Sequence, residues 1–281
     1  MKKALLLAAL LLPTACATTR VVPAPLQPAP PAAPAELSAP ADGAGPPLSL
    51  FKDLEKDAVH IGTAPFHWEG SDWAKFGLGV AAVGGAVLLD QDLKNVMDRN
   101  STGSARSIAN AVAPFGSEYS FGVLGAFFLS GKLLKNEKAL SVAEDGLASS
   151  LIAAGVISPI LKLTVSRARP NQAESTFDRD RGGMSFPSGH ATQAFAVASV
   201  IAAHYDSPWV KVAAYGLAGL VGLARMEQGE HFASDVLAGA LIGTAVGNAV
   251  VRFHDSERLH ISFAPSMNPR AHGAALMFSL R

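Results

Sequence analysis

The stretch FPSGHATQAFAVASV, residues 186–200, decides how the chain is read. Pro187, Ser188, Gly189 and His190 stand in a row where an apolar helix should begin. Ser188 fits an N-cap, because its side-chain oxygen accepts from a backbone N–H one turn on. Gly189 lacks a Cβ and lets another molecule approach the backbone. The first N–H groups of a helix have no internal partners, so this turn suits an anion. His190 adds a titratable imidazole at its rim. A capped helix with a surface histidine fits the same residues, so the rest of the chain must decide.

Working outward, further chemistry sits at neighbouring helix ends. Upstream, KLTVSRARP closes an apolar segment with Lys162 and continues to Arg169 and Pro170. Downstream, ARMEQGEHFASD holds Arg225, His231 and Asp235, just before the last apolar segment. In a bundle of alternating direction these connections fall at one end, so the clusters converge. Arg forks match phosphate oxygens in pairs, and Lys adds a point charge. Donors so placed stabilise the charge on a phosphoryl group in transfer. One histidine can attack phosphorus if a carboxylate fixes its tautomer. Asp235, one helical turn after His231, is within reach of the other ring nitrogen. The second histidine can protonate the leaving oxygen. The cations supply the positive charge, so the expectation is no metal and no other cofactor; neither HFASD nor the scattered Asp residues have convergent ligand spacing.

Singly, each residue has an ordinary explanation. Lys162 suits a helix C-terminus and Asp235 a helix N-terminus. Arg225 can form a surface ion pair with Glu227 or Glu230, and His231 can be a satisfied, partly buried histidine. Their joint occurrence is what outweighs these explanations.

The set K-x6-RP (Lys162, Arg169, Pro170), PSGH (Pro187 to His190) and R-x5-H-x3-D (Arg225, His231, Asp235) resembles the type 2 phosphatidic acid phosphatase (PAP2) superfamily. That superfamily includes class A bacterial acid phosphatases and vanadium haloperoxidases. The resemblance covers about residues 140–252. It implies an all-α, six-helix PAP2-type bundle and a phosphohistidine on His231, with His190 as general acid. It also implies that Lys162, Arg169, Ser188, Gly189 and Arg225 bind phosphate. Ala224 stands where the family commonly has Ser. Two other readings stay open: a vanadate-dependent haloperoxidase-like oxidase, and a non-catalytic envelope binding protein.

Bulk composition bounds the rest. Lys+Arg and Asp+Glu are both 23 in 281 residues, so no basic surplus serves nucleic acid. The single cysteine, Cys16, excludes an internal disulfide. Residues 1–17, two lysines followed by an apolar run and small residues, read as an export signal. LPTAC resembles a lipoprotein lipobox with Cys16 lipidated, and Ala15-Cys16-Ala17 reads equally as an A-x-A cleavage site. Residues 18–49 hold nine of the 18 prolines and read as a stiff tether. Residues 50–255 form the helical domain, and 256–281 a C-terminal tail or β-hairpin around Asn-Pro and His-Gly.

Six apolar segments follow the tether, at about 73–89, 119–134, 142–162, 190–204, 209–224 and 233–252. Their charge-free windows run 13 to 16 residues, short of the ~20 a span needs. If all six crossed after an exported N-terminus, the site would face the cytoplasm, opposite to the family's usual orientation. The sequence therefore favours an exported bundle tethered to the membrane and facing the periplasm, over an integral six-span protein. Expected substrates are a phosphorylated lipid, such as phosphatidic acid, undecaprenyl pyrophosphate or lipid A, or a small phosphoester. Phe127, Phe128 and Trp209 are the candidates for an acyl groove. Arg167, Arg179 and Arg181 read as rim charges, and the remaining histidines as non-catalytic.

Overall fold

The computed structural model describes residues 46–173, 175, 178–179, 183–265 and 274–280. The export signal, Cys16, most of the tether and Arg181 lie outside the described residues.

Nine helices precede a strand pair among the described residues: α1 (Pro46–Thr63), α2 (Gly70–Asn100), α3 (Gly103–Val112), α4 (Glu118–Leu134), α5 (Glu137–Ile152), α6 (Ser158–Val165), α7 (Gly189–His204), α8 (Pro208–Glu227) and α9 (Ala233–Arg258). A π-helical turn, Ala153–Ile157, joins α5 to α6. The six apolar segments lie in α2, α4, α5–α6, α7, α8 and α9. The additional helices are α1, rich in charge, and the ten-residue α3, both of which lack a long apolar run. Strands β1 (Leu259–Pro265) and β2 (Ala274–Leu280) pair antiparallel, Leu259 opposite Leu280, where the sequence predicts a hairpin.

The middle of the bundle is α7, packed on α9, α8 and α5. Its buried positions are mostly Ala and Ser, so backbones come close. On α9, Gly239, Gly243 and Gly247 recur one turn apart and face α7. A Cβ on Gly239 would stand 2.6 Å from the Ser188 carbonyl oxygen, and one on Gly243 2.8 Å from the Ala196 nitrogen. No side chain fits there without moving a helix. The N-termini of α7 and α9 are therefore held together, and the Ser188 N–H donates to the Asp235 carbonyl at 3.0 Å.

At the opposite end, the C-termini of α7 and α9 meet α1 and α5 through a polar chain. His204 Nε2 lies 2.7 Å from Asp145, which lies 2.6 Å from His254 Nδ1; His254 Nε2 is 2.9 Å from Asp57. His60 stacks on Phe253 at 4.3 Å. These histidines sit at the pole opposite the motif residues.

Among the described residues, three helices are long and apolar enough to cross a membrane: Gly70–Asn100, Glu137–Val165 and Ala233–Ser256. Gly103–Gly116 with Glu118–Leu134, bent by 52°, makes a fourth if the pair is one span. By these helices the chain is a membrane protein. They exceed the charge-free windows because each continues past the charged residue that closes its window, as α2 does beyond Asp90.

Candidate active site

Each motif arrives at one end of the bundle by a local cause. Ser166, left-handed at φ 50°, ends α6, and its N–H donates to the Lys162 carbonyl at 2.9 Å. Ser188 caps α7, its Oγ accepting from the Ala191 N–H at 3.4 Å. Gly229, at φ 68°, turns the chain from α8 toward α9. This turn delivers His231 to the site.

His231 is 4% exposed. Its Nδ1 lies 2.7 Å from the Ser185 carbonyl oxygen. A carbonyl only accepts, so Nδ1 carries the proton and Nε2 of the neutral ring keeps its lone pair. Burial, and then the positive charges of Lys162 and Arg225, hold the imidazole well below its ordinary pKa. The partner of Nδ1 is thus a backbone carbonyl, whereas the sequence pointed to Asp235. Asp235 Oδ2 stands 3.9 Å from Nδ1. Its carboxylate accepts instead from Ser185 Oγ at 2.6 Å, the Phe232 N–H at 2.8 Å and Arg167 Nη1 at 2.6 Å. Asp235 and His231 meet through Ser185, which Asp235 holds by the side chain and His231 by the carbonyl.

The cations gather around the start of α7. Lys162 Nζ donates to the Met184 carbonyl, and its Cε lies 3.9 Å from where a Gly189 Cβ would be. Arg225 Nη1 donates to Gln228 at 2.6 Å, and its buried Nε has no partner among the described residues. Arg169 donates to Glu230. Burial first, then the Arg225 charge, pushes His190 down to about 4. Among the described residues, no group of three or more His, Cys, Asp or Glu is arranged to hold a metal.

A family model described as the PAP2 superfamily matches residues 146–258. This segment belongs to the PAP2 superfamily. The three motifs, from Lys162 to Asp235, all lie within the PAP2 segment. A lipid A 1-phosphatase of Porphyromonas gingivalis is 36% identical over 129 residues, covering 45% of this chain and 25% of that protein. A lipid A 1-phosphatase of Rhizobium etli is 32% identical over 125 residues, covering 40% of this chain and 53% of that one. The crystal structure of Aquifex aeolicus LpxE is similar at a TM-score of 0.48 and 26% identity, covering 58% of this chain and 95% of that one. The chain spans between a quarter and about half the length of these curated relatives.

Two features differ from the sequence reading. Arg167 is no rim charge. It is buried, its Nη1 on Ser234 (2.7 Å) and Asp235, its Nη2 on Asp90 Oδ2 (2.7 Å), and its guanidinium 4.2 Å from the Phe232 ring. The turn at Ser166 aims it inward. Nor do Phe127, Phe128 and Trp209 share a face: Phe127 packs against Val142, Val200 and Val251, whereas the other two are exposed. Trp209 lies roughly 24 Å along α8 from Arg225.

Sequence reasoning missed Asp90. It is fully buried on α2, outside the PAP2 segment, and accepts from the Ser234 N–H at 2.9 Å and Ser234 Oγ at 2.5 Å. In the sequence it stands only as the charge that closes an apolar run, ahead of Asp92 and Lys94, which gives no sign that it is buried. Ala224 packs against Ala109 and Ala113 of the α3 region.

Proposed function

We propose that this protein is a metal-independent phosphatase that removes phosphate from a lipid phosphomonoester or pyrophosphate through a phosphohistidine on His231. The observation that carries the reading is the neutral His231 ring, with its Nδ1–H tied to Ser185, set beside Lys162, Arg225 and Arg169. His231 Nε2 forms a bond to phosphorus as the P–O ester bond breaks, and His190 gives its proton to the leaving oxygen. His190 then takes a proton from water, the resulting hydroxide oxygen bonds to phosphorus, and the N–P bond breaks to return free imidazole and inorganic phosphate. The three cations and the first N–H groups of α7 hold the equatorial oxygens.

Kinship with lipid A 1-phosphatases makes lipid A phosphates the first substrates to test, with phosphatidic acid and undecaprenyl pyrophosphate beside them. The test is phosphate release by purified protein in detergent without added metal. His231→Ala is expected to lose all measurable turnover and all acid-labile phosphoprotein. Equal release by the variant would overturn the assignment.

We place the site on the periplasmic side. Gly79 lies beside Leu241 and Asp90 beside Ser234, so α2 runs toward the site. An exported N-terminus therefore suits a periplasmic site only if the bundle stays outside the membrane, tethered by Cys16. A crossing bundle needs a cytoplasmic N-terminus. The crossing arrangement is favoured by α2, whose Leu78, Leu88 and Leu89 are exposed.

A further inference from the structure

The two arginines assigned to phosphate already hold an anion of the protein's own. Arg169 Nη1 donates to Glu230 Oε2, and Arg225 Nη2 stands 3.4 Å from the same oxygen. One carboxylate oxygen thus joins both guanidinium groups. Glu230 immediately precedes His231, and nothing in the three motifs assigns it a role. Its side chain is 25% exposed, so it can rotate into water without unpacking the core. Its hold on Arg225 is incomplete, because the buried Arg225 Nε has no partner among the described residues. A phosphoryl group offers three oxygens and up to two charges, where a carboxylate offers two oxygens and one charge.

We propose that Glu230 is a built-in competitor for the phosphate subsite: its carboxylate occupies Arg169 and Arg225 in the free protein, yields to a dianionic terminal phosphate, and returns to displace the inorganic phosphate product. This inference rests on the phosphatase reading. The device sets specificity as well as release. A phosphodiester carries a single charge and lacks the dianion's advantage over the carboxylate, so Glu230 disfavours diesters. It also keeps the two guanidinium groups paired between turnovers, so neither stands unpaired in a partly buried site.

The experiment uses the full chain in detergent, with inorganic phosphate as the probe, and compares wild type with Glu230→Gln. Calorimetric binding and product inhibition during turnover are both measured. Glu230→Gln is expected to bind phosphate about fivefold more tightly, with a matching fall in its inhibition constant, the scale of one partly exposed ion pair removed from competition. Glu230→Ala, which adds no donor, is expected to move in the same direction. If wild type hydrolyses phosphoesters but both variants bind phosphate equally or more weakly, Glu230 steadies the arginines and the proposal is overturned. If wild type neither binds phosphate nor turns over, the phosphatase reading itself fails, and this inference with it.

Discussion

His190 and His231 sit in the same positive field, and a bound dianion changes that field for both. In the free site His190 is held at about 4, so kcat/KM should fall as pH rises through that value. His231, held well below its ordinary range by burial and then by the Lys162 charge, attacks only when neutral and so sets the acid limb. A phosphate dianion beside His190 favours its protonated form, so the alkaline limb of kcat should lie at higher pH than that of kcat/KM. Coincident limbs would remove His190 as the acid. Arg167 offers a second test. Arg167→Ala leaves Asp90 and Asp235 buried without their cation and should cost about 3–5 kcal/mol of stability, read by denaturation in detergent. The cations that gather around the start of α7 were legible from sequence because they stand at or near helix ends. Ser185 was not, since what reaches His231 is its backbone carbonyl, which no side-chain motif marks.

At the scale of elements, the helix pair α7–α9 sets the distance between the two histidines. Its spacing depends on Gly239, Gly243 and Gly247, where backbone meets backbone. Gly243→Ala should push the helices apart, destabilise by about 1–3 kcal/mol and lower kcat more than it raises KM. A normal kcat with lowered thermal stability would show that the pair bears on folding alone. The periodicity of the apolar segments revealed these helices, but not which faces meet, because apolar spacing marks a helix without marking its neighbour. For the same reason α2 read as an apolar helix with a terminal charge, whereas Asp90 joins it to the first turn of α9. Asp90→Asn should keep the Ser234 N–H bond but lose part of the stability, because the amide nitrogen replaces the oxygen that accepts from buried Arg167. Asp90→Ala should lose it together with turnover.

On the scale of the molecule, neither the span lengths nor the side was legible in the sequence. Charge-free windows measure where charges stand, while a helix runs on past them; α2 is 31 residues against a window of 14. Carbonate extraction after Cys16→Ser separates the two arrangements, and a crossing bundle should stay in the membrane fraction. Release into the supernatant would return the tethered bundle. The chain Asp57–His254–Asp145–His204 has its own consequence at the pole opposite the catalytic one. Apolar surfaces tolerate sliding, but a step of one helical turn by α7 or α9 along its axis would strand an imidazole away from its carboxylate. The bundle is thereby locked in register from its distant end, and the spacing of the reactive pair is set by an anchor it never touches.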